Sequence, residues 1–435
     1  MAQPAAPLQL PYTQFTLPNG LHVILHEDHS TPIVTVNVWY HVGSAREKPG
    51  RTGFAHLFEH LMFMGSRNAP YPAFDAIMES WGGHNNGTTS NDRTNYYEIG
   101  PRNLLETFLW LEADRLATLS DVITDEELER QRKVVQNERR QSYENRPYGR
   151  AELVVPEAMY LPNHPYHWPT IGSHADLEAA TVTDVRAFFE SFYRPSNASL
   201  VIAGDFDPAA ARALVEKYFG WQPKRPRPTR APQPATPVLE RDVEIALTDR
   251  VQLPRLRLTW HSPALFAPGD ADLDMAAHVL GGGKSSRLYK ALVFDQRIAQ
   301  DAFAYQSSQI LGSLFQVGAT AKPGHNLDEI TAAVTAEIDR LASDGPTEAE
   351  LARARNTHLA DFYKSLEHLQ TRADLLNHYQ HVLGDPDGVA RDVARYERTT
   401  AESVREAFAR VAAARHLDLR ISPEPSTAAA APVTA

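Results

Sequence analysis

The sequence predicts an α+β fold made twice over: two homologous domains, each an antiparallel-rich β-sheet packed against α-helices. Strand-like alternation and long helical stretches occur in both halves of the 435 residues. Three segments also echo one another: residues 59–66 in 277–284, 124–130 in 347–353, and 181–188 in 400–408, all at offsets of about 220 residues. Between the copies lies a proline-rich, basic stretch, residues 223–237, which reads as an extended linker. The expected layout is an N-terminal extension (1–14), a first domain (15–222), the linker (223–237), a second domain (238–422) and a disordered tail (423–435).

Composition narrows the class. With 43% hydrophobic and 22% charged residues the chain reads as an ordinary globular protein of more than one domain. A net charge of −11 and the lack of a basic face with interleaved aromatics exclude a nucleic-acid binder. No run of about 18 apolar residues is present, so no membrane span is expected. The absence of cysteine excludes disulfides and thiolate ligands. The small-residue start, Met1 to Pro7, resembles a processed chain with an added methionine, which points to the periplasm, with the cytoplasm as the alternative.

In chain order, residues 15–38 read as two strands, the first entered through the Asn19-Gly20 turn. Leu21, Val23 and Leu25 alternate in one, and Val34, Val36 and Val38 in the next. Residues 53–66 read as one helix, and 72–81 as another that stops at Gly82-Gly83. Residues 84–92 and 96–99 suggest two strands joined by a polar turn. Residues 104–119 and 125–143 are long helical stretches, the second opened by Thr124 with Glu127 three residues on, a capping box. Residues 181–192 form a further helix leading into a strand at 198–203.

The chemistry concentrates in the helix 53–66. His56 and His60 stand four residues apart, so both imidazoles project from one face about a turn from each other. Glu59 flanks them, giving the order His-x-x-Glu-His of inverzincins. Zinc takes about three protein ligands and a water, and an unliganded carboxylate beside that water can accept its proton. As five residues alone, the pattern fits paired surface histidines equally well. A third ligand has to come from another helix, and Glu126, Glu127, Glu129, Glu138 and Glu144 are the candidates. The second copy lacks the pattern: Ala277 stands in the place of Glu59, and Leu273 or Asp274 in that of His56.

Five motifs recur in order: His56-x-x-Glu59-His60, Gly82-Gly83-x-x-Asn86-x-x-Thr89-Ser90-x-Asp92, Val134-Val135-x-x-Glu138, Pro165-Tyr166 through Ile171-Gly172, and Gly282-Gly283-x-x-Ser286-Arg287-Leu288. Through them the chain resembles the pitrilysin/insulinase family of zinc metallopeptidases, in its short two-domain form of the mitochondrial-processing-peptidase type. The resemblance spans most of residues 15–422. It implies one zinc per chain on His56, His60 and Glu138, with Glu59 as general base for peptide hydrolysis. It also implies that Asn86, Gly87 and Thr88 lie on an edge strand that binds extended peptide. His84, His164, His167 and His174 are assigned no ligand role, and Met62, Phe63 and Met64 read as core.

Two departures stand out. Gln131 occupies the place, seven residues before the third ligand, where the family usually has a glutamate, so it is the candidate support behind the metal. Family members also carry an Arg and a Tyr in the half without zinc. Here Val293 and Gln300 stand at those places, while Arg297 and Tyr305 fall out of register. The expectation is therefore a zinc endopeptidase subunit acting on short or unfolded peptides in a bacterial heterodimer, whose homologous zinc-less partner supplies the Arg/Tyr pair. The alternatives are a self-sufficient homodimeric peptidase and a non-catalytic scaffold subunit.

Overall fold

The structure, a computed structural model, describes residues 8–229, 234 and 237–425. The first sheet holds β1 (Thr13–Thr16), β2 (His22–Glu27), β3 (Ile33–Tyr40), β4 (His84–Thr89), β5 (Thr94–Pro101) and β6 (Ala198–Gly204), in the order β1-β2-β6-β3-β5-β4. The second holds β7 (Val243–Asp249), β8 (Arg255–Ser262), β9 (Ala299–Ser307), β10 (Ser313–Ala321) and β11 (His416–Pro423), in the order β7-β11-β8-β10-β9. From its second strand onward the first sheet repeats the second. In each, one parallel pair (β2 with β6, β7 with β11) is followed by antiparallel neighbours. The expected α+β fold with an internal duplication is thus present at the level of strand order.

Helix starts repeat as well. Thr124 and Glu127 make the expected reciprocal cap, and Thr347 with Glu350 makes the same one in the second half. Thr181 with Asp184 and Thr400 with Ser403 form a second matching pair of capping boxes.

The chain forms two compact units. The first contains residues 1–139, 162–233 and 356–398; the second contains 140–161, 234–355 and 399–435. Whereas the sequence places one boundary at 223–237, two segments are thus exchanged across it. Residues 230–233, 235 and 236 of the expected linker lie outside the described residues, as do 426–435 of the expected tail and 1–7 of the expected extension. Pro423 is the last residue of β11, not the first of a tail.

Several elements differ from expectation for identifiable reasons. Between residues 15 and 38 the sequence suggests two strands, but β1 pairs as a hairpin with β2, its turn made possible by Gly20 at φ 98°. The alternation of Val34, Val36 and Val38 suggests a half-buried strand, yet β3 is buried on both faces. Its polar positions face helix Leu369–Leu383, a segment of the exchanged stretch. Thr35 donates to Gln370, Asn37 to Asp374, and Asn377 donates to the Asn37 carbonyl. These hydrogen bonds to the helix are what offset the burial of the Thr35 hydroxyl and the Asn37 amide group. Helix 53–66 is shorter than expected, ending at Leu61. Beyond it Gly65 adopts φ 97°, and a Cβ on it would lie 2.4 Å from the Tyr71 amide nitrogen, so the chain doubles back on itself. Helix Asp125–Arg139 also ends early, in a wider turn at Arg140–Glu144. No helix among the described residues is long and apolar enough to cross a membrane.

Candidate metal centre

Helix Phe54–Leu61 divides its residues cleanly. Phe54, Ala55, Leu57, Phe58 and Leu61 are buried, with Phe58 packed 5.4 Å from Phe189 and 4.3 Å from Tyr193 between ring centres. His56, Glu59 and His60 occupy the other, partly open face. The residue before the helix, Gly53, has no side chain to cap it. Glu47 does so instead, accepting from the Gly53 amide at 2.9 Å and from the Ala55 amide at 2.7 Å. Burial pushes the Glu47 carboxyl up to about 8, against the pull of these donors.

Helix Asp125–Arg139 brings Glu138 to the two histidines. Its oxygens lie 3.7 Å from His56 Nε2 and 3.3 Å from His60 Nε2, and the three donor atoms fall within 4.8 Å of one another. Of the five glutamates open at the sequence level, Glu138 alone joins this grouping among the described residues. Zinc bonds of about 2.0–2.1 Å in tetrahedral array require donor separations of roughly 3.4 Å, so the donor set and spacing fit that ion. Side-chain exposure rises from 12% at His56 to 39% at Glu138, so the grouping opens on the Glu138 side. Burial and the neighbouring His60 lower the His56 imidazole to about 4, despite Glu138, which leaves it neutral as a ligand must be. The hydrogen bond with His60 lowers Glu138.

Glu59 projects beside this grouping. Burial raises its carboxyl, opposed first by a hydrogen bond that Thr89 donates to it. Thr89 ends β4, the outer strand of the first sheet, which among the described residues pairs with β5 alone. Strand alternation places Gly87 and Thr89 on one face, and a Cβ on Gly87 would lie 3.1 Å from Glu59 Cγ. Of the three expected substrate-strand residues, Gly87 therefore abuts Glu59. The Asn86 side chain turns onto the Gly87 amide at 2.9 Å, and the Thr88 hydroxyl is engaged within the hairpin by Asn95. Thr89 was not singled out as a site residue, although the period of two from Gly87 points to it.

Gln131 is buried and donates to the Met64 sulfur at 2.9 Å. Met62 and Met64 are buried as expected of core residues. His84, His164, His167 and His174 do not join the grouping. In the second unit, Val293 falls in the π-helical segment Tyr289–Asp295 and Gln300 in β9. Arg297 adopts φ 58°, and Tyr305 accepts from Arg257 at 3.1 Å. No metal-ligand grouping occurs among the described residues of that unit.

The chain is similar to known proteins over most of its length. A sequence profile described as Insulinase (Peptidase family M16) matches residues 22–165, and one described as Peptidase M16 inactive domain matches residues 179–357. The chain is 31% identical over 368 residues to the zinc protease PqqE of Helicobacter pylori, covering 84% of this chain and 82% of that protein. It is 26% identical over 369 residues to the mitochondrial-processing peptidase subunit beta of Blastocladiella emersonii, covering 81% and 76% respectively. The crystal structure of a protease from Helicobacter pylori matches with a TM-score of 0.88 at 27% identity, over 95% of this chain and 99% of that one.

Proposed function

The chain belongs to the insulinase (peptidase M16) family, and from that premise we propose that it is the zinc-bearing subunit of an endopeptidase for short or unfolded peptides. The observation that carries the reading is the convergence of His56, His60 and Glu138, with Glu59 held beside them by Thr89. Those three side chains would hold one zinc ion, which would supply a water of lowered pKa and polarisation of the peptide carbonyl. Glu59 takes the proton from that water and passes it to the departing amine. Its carboxyl, raised by burial, is suited to holding the proton between the two steps.

Substrate enters as an added strand on the open edge of β4, and main-chain hydrogen bonds hold it with modest sequence demand. Gln131 supports the metal helices through Met64 rather than through a ligand. Val293 and Gln300 stand where the family has Arg and Tyr, so the cationic and phenolic donors to the oxyanion come from a homologous zinc-less chain. The assembly acts in the periplasm.

One observation favours a second reading, the self-sufficient homodimer. Arg257 and Tyr305 are hydrogen-bonded to each other in the second unit, although at other positions than the family pair. The two readings separate in a peptidase assay on an unstructured fluorogenic peptide. The chain is assayed alone, then with a co-expressed homologous Arg/Tyr-bearing chain, each with Glu59→Gln as control. Turnover only in the mixture, abolished by Glu59→Gln, supports the split site; equal turnover by the chain alone supports the homodimer. Turnover that survives Glu59→Gln would refute the assigned base.

A further inference from the structure

We propose that residues 164–180, through Gly172 and its clamp by Arg139, form a buttress that sets the distance between Glu138 and the histidine helix. The inference rests on the zinc reading above and adds residues that touch no ligand. The two helices that carry the ligands are far apart in sequence, and something must hold them in register to a few tenths of an ångström.

Arg139, next in chain to Glu138, donates to the Gly172 carbonyl at 2.6 Å. Gly172 adopts φ 70° and is pressed against Gly53, the residue that begins the histidine helix. A Cβ on Gly172 would lie 2.4 Å from the Gly53 nitrogen and Cα, and a Cβ on Gly53 would lie 2.8 Å from the Ile171 carbonyl. Only a glycine pair allows this approach. The path from Glu138 to the histidine helix thus runs through one side chain, one carbonyl and one backbone contact.

Flanking bonds brace the same segment from both sides. Thr52 donates its amide and hydroxyl to Asp176, and its hydroxyl accepts from the Ser173 amide at 3.1 Å. Two turns before Glu138, Arg132 donates to the Leu177 carbonyl at 2.8 Å and the Ala180 carbonyl at 2.6 Å. The segment also grips the tip of the β4–β5 hairpin: the Tyr166 hydroxyl donates to Asp92 at 2.7 Å, and Thr170 to Asn91 at 3.0 Å. One buttress therefore registers both ligand helices and the strand bearing Thr89. This gives a role to Ile171-Gly172 and to Gly53, which the ligand set alone leaves without one.

The test is the zinc dissociation constant, measured by chelator competition well below the melting temperature, for the full chain and for Arg139→Ala and Arg139→Lys. Loss of a ligand-orienting residue typically weakens metal binding by about 10-fold to 100-fold. Arg139→Ala is expected to weaken zinc about 10-fold, with Arg139→Lys, which keeps a donor for the carbonyl, within about 3-fold of wild type. The sign is diagnostic, because removing a nearby positive charge would by itself favour a dication. Unchanged or tighter zinc binding in a folded Arg139→Ala chain overturns the proposal. Should that variant fail to fold, Thr52→Val breaks the buttress from the histidine side, and wild-type affinity there overturns it equally. A wild-type chain that takes up no zinc would instead sink the zinc reading, and the buttress with it.

Discussion

Gly87 lies against Glu59 so closely that a single added methyl group would sit 3.1 Å from Glu59 Cγ. The same methyl would meet Tyr96 at 3.2 Å and the Asn95 carbonyl at 3.3 Å, so it could not turn away from the carboxylate. Gly87→Ala is expected to displace Glu59 by a few tenths of an ångström and lower kcat about 3-fold to 10-fold, since small misplacements of reacting groups are expensive. Zinc content should stay at the wild-type level. Steady-state kinetics beside metal analysis checks this, and an unchanged kcat would contradict the contact.

The histidine helix depends on Glu47 for its start. Glu47→Ala leaves the Gly53 and Ala55 amides without their acceptor in a buried place. A loss of about 1–3 kcal/mol of stability follows. Glu47→Gln, which retains one carbonyl oxygen, should lose less. Chemical denaturation of the three chains ranks them, and a Glu47→Ala chain as stable as wild type would remove the cap from the account.

Under the same sheet, Arg115 is fully buried against two carboxylates, gripping Glu112 and donating to Glu98 at 3.2 Å. Burial, together with the neighbouring Glu112, raises the Glu98 carboxyl well above its ordinary value, with Arg115 opposing. The folded state therefore holds a proton that the unfolded chain releases above about pH 4.3. Stability from this group is present below that value and is lost as pH rises towards the folded pKa. Glu98→Gln should flatten the decline of stability that sets in as pH rises above about 4.3, as read by denaturant melts. Parallel slopes for wild type and variant would contradict it.

Asp374 is the hub by which helix Leu369–Leu383 covers the polar face of β3. It accepts from Trp39 at 3.0 Å, Asn37 at 3.2 Å and Asn95 at 3.3 Å. Asp374→Leu would strand these buried donors and cost about 2–4 kcal/mol. Loss of less than about 0.5 kcal/mol would mean that the helix is held by its apolar contacts alone.

How much of this could be read in the residues depended on the distance over which each relationship acts. The pairing of His56 with His60 is a one-turn relationship and is plain in the sequence, as is the cap of Thr124 with Glu127; the caps at Thr347, Thr181 and Thr400 come from the structure. Glu138 needed the family resemblance, because nothing local distinguishes it from four other glutamates near the same helix. The cap by Glu47 was hidden because it reaches its helix from outside, across a glycine that looks like a poor start. The burial of Thr35 and Asn37 was hidden too, since it depends on a helix more than three hundred residues later in the chain. Thr89 stands in the motif of residues 82–92, but its bond to Glu59 depends on where the histidine helix docks against β4.

The measurement that tests the central claim most directly is zinc stoichiometry of the purified chain by elemental analysis, beside His60→Ala and Glu138→Gln. The account predicts about one zinc per wild-type chain and a large loss of bound zinc in both variants, with the fold retained by circular dichroism. Full zinc occupancy in both variants, or none in the wild type even after incubation with the metal, would contradict it.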